Sequence, residues 1–436
     1  MITIYCEKIT PRVKYTFHLV FEAILGLDYE LMSDEAIYLS SDEAKFTYGI
    51  GPIDEGIFVR ASGLLFESDI IDQSLEVGEL DGIPAFYRVD QPSFLEYDLF
   101  SAIFYLVSRY EEYLPHIEDG HGRYQASQSI AFQNGFLGSP IVDRWAQLIG
   151  RLLMEKFPTL AIASRSFHYL NTIDIDNAYA YAGKGGLRNV GGMAKSALRL
   201  DKNDLSKRLN VLGGKAKDPY DTYSYMQEQA AKYNTAVKSF VLLGDYGPYD
   251  KNLPHSSAEQ IRAIQHMAAF SEVGMHPSYG SAGDLGQVKK EMSRLSGILG
   301  RSIRISRQHY LKLKMPNTYR ILIECGVEED HSMGYSEVLG FRAGTCTPFK
   351  FYDLEAETST DLIVYPFAVM DRTLNDYLKL NPDEAIQHLH QLVKEVRAVG
   401  GTLISVWHNE SLSDALEWKG WLPVYEQLQA CGIEEG

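Results

Sequence analysis

In the first third of the chain the apolar positions fall into short mixed runs. Ile2-Thr3-Ile4-Tyr5 alternates as a strand does, and Tyr15 to Leu27 carries apolar residues at helical spacing. Ile57 to Arg60 and Ala85 to Arg88 are further short strand candidates. Asp98 to Leu114 is the clearest helix of this half. Leu99, Phe100, Ile103, Leu106 and Val107 make its apolar face, and Arg109, Glu111 and Glu112 follow at its end. Pro115 stops it, and Glu118-Asp119-Gly120-His121-Gly122-Arg123 reads as a solvated turn. A second amphipathic helix, Pro140 to Phe157, is stopped by Pro158.

From residue 166 the rhythm changes to strands alternating with helices. The strands expected are 167–173, 236–243, 272–276, 303–308, 325–330, 361–368 and 402–407. Helical spacing marks 222–233, 256–270, 284–299, 316–324, 382–398 and 422–431. Such βα units build either a barrel or a doubly wound sheet. Polar residues cluster just after most strand ends, which favours the barrel, because a β/α barrel builds its site there. Two α/β domains are expected, 1–165 and 166–436. The Gly-rich stretch Gly183 to Gly192 lacks the GxxxxGK pattern of a phosphate loop and reads as a flexible loop.

Composition narrows the function. The 436 residues are 45% hydrophobic, enough for a sizeable core, and carry a net charge of -17. That balance opposes non-specific nucleic-acid binding and a charge-held place on anionic lipid. The four cysteines, Cys6, Cys325, Cys346 and Cys431, contain no CxxC, so neither a disulfide framework nor a zinc knuckle is indicated. The start lacks a basic segment, and His18 and Glu22 interrupt its apolar run, unlike a signal peptide. No apolar stretch is long enough to span a bilayer. A reducing, cytoplasmic location is expected.

Candidate chemistry begins at Thr172-Ile173-Asp174-Ile175-Asp176. Carboxylates at i and i+2 of a strand share a face, and two like charges that close need a cation or a shared proton between them. Later strands end in Asp245, in His276, in Arg307-Gln308-His309-Tyr310, in Asp330-His331 followed by Arg342, in Asp371, and in His408. Each alone fits a hydrogen-bonded turn. Together they place several histidines on one expected rim with carboxylates and arginines.

This order of residues resembles the polysaccharide deacetylases, carbohydrate esterase family four, over residues 166–436. The resemblance implies a distorted seven-stranded β/α barrel and a divalent metal, zinc. Thr172 to Asp176 is similar to the spaced form of the family's first motif, which implies Asp174 as general base and Asp176 as metal ligand. His276 matches the first histidine of the second motif and would be the other ligand. Arg307-Gln308-His309-Tyr310 is similar to Arg-x-Pro-Tyr, with His309 in place of proline. Arg307 would orient the base, and the Tyr310 backbone N–H would face the oxyanion. Ile404 to His408 loosely matches the last motif, with His408 as general acid. Tyr310, Asp330 and Arg342 are expected on the substrate side. The first half, with its Arg109 to Leu114 run, is similar to an accessory domain that precedes some bacterial deacetylase-like domains.

The sequence departs from the family at Pro277, where Ser or Thr is usual, and at Gly280, where the second metal histidine would stand. Two ligands are fewer than the three usual at catalytic zinc. Asp245, His309 and His331 are the candidates for a third. The leading expectation is a metal-dependent hydrolase that removes acetyl groups from an acetylated polysaccharide or oligosaccharide. Its rivals are a non-catalytic glycan-binding relative with a weak or lost metal site, and a glycosidase using a carboxylate pair.

Overall fold

The protein is described by a computed structural model covering residues 1–198 and 202–432. Its larger sheet is built around β7 (His168–Ile175), buried from Tyr169 to Ile175, as expected of a strand with neighbours on both sides. β7 pairs in parallel with β8 (Ala236–Val241) and with β15 (Thr402–His408). Beyond β8 lie β9 (Glu272–Met275), β10 (Ile305–Ser306), β11 (Glu329–Asp330) and β13 (Thr358–Val364). With β12 (Phe349–Asp353) and β14 (Val369–Met370) at the edges, the strand order is β12-β13-β11-β10-β9-β8-β7-β15-β14, parallel except for the β12–β13 pair. Helices Tyr223–Tyr233, Ala258–Met267, Leu285–Leu299, Asn317–Glu324 and Pro382–Ala398 precede β8, β9, β10, β11 and β15, close to the expected spans.

Two features of this sheet differ from the sequence reading. β12 (Phe349–Asp353) was not anticipated; it adds an antiparallel edge to β13. The expected strand 361–368 ends early, β13 stopping at Val364, and a separate strand, β14 (Val369–Met370), begins just past the expected end. Val364 pairs with Asp330 of β11, whereas Val369 pairs with Ser405 of β15. Pro366 lies between them and has no N–H for a ladder. One segment of chain therefore joins the two sides of the strand order.

The first region carries a parallel four-stranded sheet, β2-β1-β3-β4: β1 (Ile2–Tyr5), β2 (Tyr29–Met32), β3 (Ala44–Gly49) and β4 (Ile57–Arg60). A short hairpin follows, β5 (Gly78–Leu80) and β6 (Ile83–Ala85). The helix expected to be amphipathic, Leu99–Val107, is buried at every position. Its second face lies against the other region, where Phe104 meets Tyr352 of β12 edge-on at 5.1 Å. Asp143 on helix Ile141–Lys156 accepts from Thr345 Oγ1 at 2.7 Å, the Cys346 N–H at 3.0 Å and Arg165 Nη1 at 3.0 Å. Tyr15 donates to the Lys350 carbonyl at 2.7 Å. One apolar core runs through both regions without a break at the expected boundary.

The Gly-rich stretch is a helix, Gly185–Leu198, and not a flexible loop. Arg188 ties it down by donating to the carbonyls of Asn252 and Lys251, contacts that local propensity does not contain. Among the described residues no helix is long and apolar enough to cross a membrane.

Candidate metal and catalytic site

Parallel pairing sets the site. Asp174 and His408 are direct partners across β7 and β15, so the expected base and acid share one level of the sheet. The ladder continues past the strand ends: the His276 N–H donates to Val241, Arg307 to Met275 and His331 to Ser306. The close approach of β9 to β10 needs Gly274, where a Cβ would lie 2.6 Å from the Ile305 carbonyl oxygen. His276 and Arg307 thus become neighbours just beyond their strands.

Each histidine is aimed by the bond at its far nitrogen. His276 Nδ1 lies 2.6 Å from the Arg307 carbonyl, which can only accept, so Nδ1 carries a proton and Nε2 faces the carboxylates. Nε2 is 3.3 Å from Asp176 Oδ1 and 3.7 Å from Asp174 Oδ2. His309 Nδ1 bonds Asp250 Oδ1 at 2.9 Å, and its Nε2 is 3.4 Å from Asp176 Oδ2. Asp250 is itself fixed by the N–H groups of Tyr279 at 2.8 Å and Gly280 at 3.0 Å. The Pro277 backbone carbonyl accepts the His309 N–H at 3.0 Å, which ties the chain after β9 to the chain after β10. His408 Nδ1 bonds Asp371 Oδ1 at 2.9 Å, and its Nε2 is 3.9 Å from Asp176 Oδ2.

Asp174 is buried and accepts from Arg307 Nη1 at 2.8 Å. The Arg307 Nε donates to the His331 carbonyl at 2.9 Å, and its carbon lies 4.6 Å from the Phe240 ring centre. Burial opposes charge on Asp176, but His309 and the other imidazoles outweigh it and hold the carboxyl well below its usual range. Burial likewise opposes charge on His309 and His408, yet their carboxylate neighbours push them up to about 10 and about 9.

These groups face a cavity of about 400 Å³. It is lined by Asp174, Asp176, His276, His309, Tyr310 and His408, among others, with Arg123 contributed by the first region. One ligand atom each from Asp176, His276 and His309 lie within 4.8 Å of one another. Asp176 Oδ1 is buried without a hydrogen-bond donor. A carboxylate, two oriented imidazoles and an orphaned oxygen fit a divalent ion.

Residues 2–158 match the model of a family of unknown function, DUF7033. No curated protein matches the chain. Among solved structures, a protein from Mycobacterium smegmatis described as a polysaccharide deacetylase is 14% identical, with a TM-score of 0.41 over 62% of this chain and 86% of that one. A polysaccharide deacetylase from Bacillus cereus is 11% identical, with a TM-score of 0.28 over 60% of this chain and 86% of that one. A CE4 family pseudoenzyme from Bacillus anthracis is 11% identical, with a TM-score of 0.29 over 63% of this chain and 75% of that one. Likeness at this level assigns no role to any residue.

Position alone separates the sequence-stated candidates. Asp174, Asp176, His276, Arg307, Tyr310 and His408 come together, with Arg307 behind Asp174. Asp330 and Arg342, expected on the substrate side, do not line the cavity. Asp330 is buried, taking Ser306 Oγ at 2.9 Å and the Ser332 N–H at 2.9 Å. Arg342 is buried against Glu112 of the first region at 2.6 Å. Of the three candidates for a further ligand, only His309 is in place. Asp245 is on the surface with Lys290 and Arg294, and His331 is stacked 4.6 Å from Tyr365, where burial lowers its pKa to about 3. Asp250 was not foreseen, and Asp371 was seen only as a strand end. Neither carries a motif; each acts through a histidine distant in sequence.

Proposed function

We propose that the protein is a metal-dependent hydrolase that removes acetyl groups from an N- or O-acetylated glycan or glycan precursor. In this reading residues 166–436 form a seven-stranded β/α barrel closed by segment 358–370, with 1–165 packed on it. The carrying observation is the convergence of Asp176, His276 and His309 on one cavity beside Asp174–Arg307 and His408–Asp371. The acetyl and glycan assignments come from the motif residues Thr172 to Asp176, Arg307 to Tyr310, and His408.

Asp176, His276 and His309 would hold the ion, with zinc suited to the donor set. A divalent ion supplies a lowered pKa for water and polarisation of an acyl oxygen. Asp174 is left to accept a proton from the attacking water, and Arg307, which donates to it, keeps it aimed. His408, raised to about 9 against the cost of burial by Asp371 and the cavity carboxylates, carries the proton that a leaving amine or alkoxide needs. Asp371 accepts from Nδ1 and so presents Nε2 to the cavity. The third ligand, His309, supports this reading over a non-catalytic glycan-binding relative.

The test is titration of metal-free protein with zinc, cobalt and nickel, beside acetate release from acetylated glucosamine oligomers. Asp176→Asn and His276→Ala should lose both metal uptake and acetate release. Asp174→Asn should keep the metal and lose acetate release by roughly 10²- to 10⁴-fold. Failure of all three ions to bind, with no acetate released, would sink the proposal.

A further inference from the structure

The loop Glu118 to Arg123, a solvated turn by composition, reaches the site. Asp119 folds it: Oδ1 accepts the N–H groups of His121 at 2.8 Å and Arg123 at 3.0 Å, and Oδ2 accepts Arg123 Nε at 2.8 Å. The Arg123 side chain is therefore built before it meets anything else. It is buried, and its Nη1 donates to the Tyr310 carbonyl at 2.9 Å. That carbonyl belongs to a backbone turn with an energetic cost. Tyr310 has φ 59 and Leu311 φ 51, consecutive left-handed residues that are not glycine. Such residues persist only where the surroundings over-determine them. The turn starts directly after His309, and the Tyr310 ring lies 4.7 Å from the His309 ring. His121 of the same loop lies 5.0 Å from the Tyr310 ring.

We propose that the first region, which matches a family of unknown function, is a working part of the site: Arg123 is a positioning residue that holds the Tyr310–Leu311 turn and through it the aim of His309. The geometric claim stands on its own; its consequence for metal binding rests on the function proposed above. A guanidinium suits the task because separate nitrogens of its planar fork bond Asp119 and the Tyr310 carbonyl, a spread that a single ammonium nitrogen reproduces only in part.

The experiment uses the full chain and a double-mutant cycle. Arg123→Met should weaken cobalt binding about tenfold, the scale of a lost partner behind a metal ligand. Arg123→Lys should recover part of it. Tyr310→Gly removes the left-handed cost at the residue whose carbonyl Arg123 holds, so Arg123→Met should have a smaller effect in that background. Amide exchange over residues 309–312 of the metal-free protein is the second readout and should rise in Arg123→Met. Asp119→Asn, which frees Arg123 without removing it, serves if Arg123→Met does not fold. Unchanged exchange at 309–312, or the same loss of cobalt affinity in both backgrounds, would overturn the inference. Should no ion bind the wild type, the proposed function fails, and exchange still decides the role of Arg123.

Discussion

Arg109, Glu111, Glu112 and Arg342 form one buried charge cluster, in the seam between the regions; Asp174, half-buried Asp176, His276, His309 and His408 form another cluster, at the cavity. In the seam every charge is matched at hydrogen-bond distance. Arg109 Nε and Nη2 donate to Glu112 and Glu111 at 2.8 Å, and Arg342 Nε and Nη2 reach Glu112 at 2.8 and 2.6 Å. The second oxygen of Glu111 takes the Ile130 N–H at 3.0 Å. In the cavity the imidazole Nε2 atoms stand 3.3 to 3.9 Å from carboxylate oxygens. That is longer than the roughly 2.7–2.9 Å of a charge-assisted bond. Asp176 Oδ1 has no donor and Arg307 Nη2 no acceptor. Buried acids and bases build a closed brace in one place and an open receptor in the other. Whether the partners are already satisfied separates structure from chemistry here.

The largest effect should come from removing one side of the seam. A chain of residues 166–436 alone would leave Arg342 without Glu112, and Thr345 and the Cys346 N–H without Asp143. It would also expose the side of the core that Phe104 covers. We expect no soluble folded product, measured by solubility and by a cooperative melt. A well-behaved 166–436 would mean that the regions are independent domains and that the seam is only a contact.

A smaller version of that test keeps the whole chain. Arg342→Met leaves Glu112 buried and half-paired, which should cost about 3–5 kcal/mol in urea unfolding. His276→Gln in the metal-free protein should cost much less, because only the Nδ1 bond to the Arg307 carbonyl is at stake and no short ion pair is lost, while metal uptake disappears. Equal losses would erase the distinction between brace and receptor.

Legibility in the sequence follows the same line. β8 and β9 and the helices before them were readable because burial imposes a period on nearby residues. Asp174, Asp176, His276, Arg307 and His408 were readable because they sit at ends of strands paired in register, where spacing along the chain maps onto the cavity. Arg342 and Asp330 were misplaced by the same logic: a polar residue after a strand end faces the mouth or turns back into packing, and spacing does not distinguish the two. His309 was visible only as one of three candidates, since its place depends on Asp250 and the Pro277 carbonyl. Arg123 was unreadable because its partner Tyr310 is 187 residues away.

A third, narrower contrast lies within the cavity. Asp371→Asn removes the carboxylate charge that holds the proton on His408 but touches none of the metal-binding groups. Acetate release should fall by roughly 10²-fold or more, the lower end for general acid catalysis, with cobalt affinity unchanged. A parallel loss of cobalt affinity would place His408 among the ligands.

The smallest effect, and the most specific, is in pH. In the metal-free protein burial opposes the charge on His309, but Asp176 and Asp250 outweigh it and push the imidazole up to about 10. An unfolded histidine titrates near 6.5. A folded pKa above the unfolded one gives stability that is complete below about pH 6.5 and lost as pH rises through about 10. The seam behaves oppositely: burial opposes the Glu112 charge, Arg342 and Arg109 outweigh it, and the carboxyl is lowered to about 2. Its contribution is present above about pH 4.5 and lost only as pH falls through about 2. Metal-free protein should therefore soften between pH 7 and 10 through the cavity while the seam holds. An ion must displace the His309 proton, so apparent cobalt affinity should climb with pH, by up to about tenfold per unit. Titrations at pH 6, 7 and 8 read this directly, with Asp250→Asn as the control that weakens the hold on the proton. An affinity flat across that range would mean that His309 carries no proton to displace, and that the open spacing of the cavity is not held by imidazolium charge.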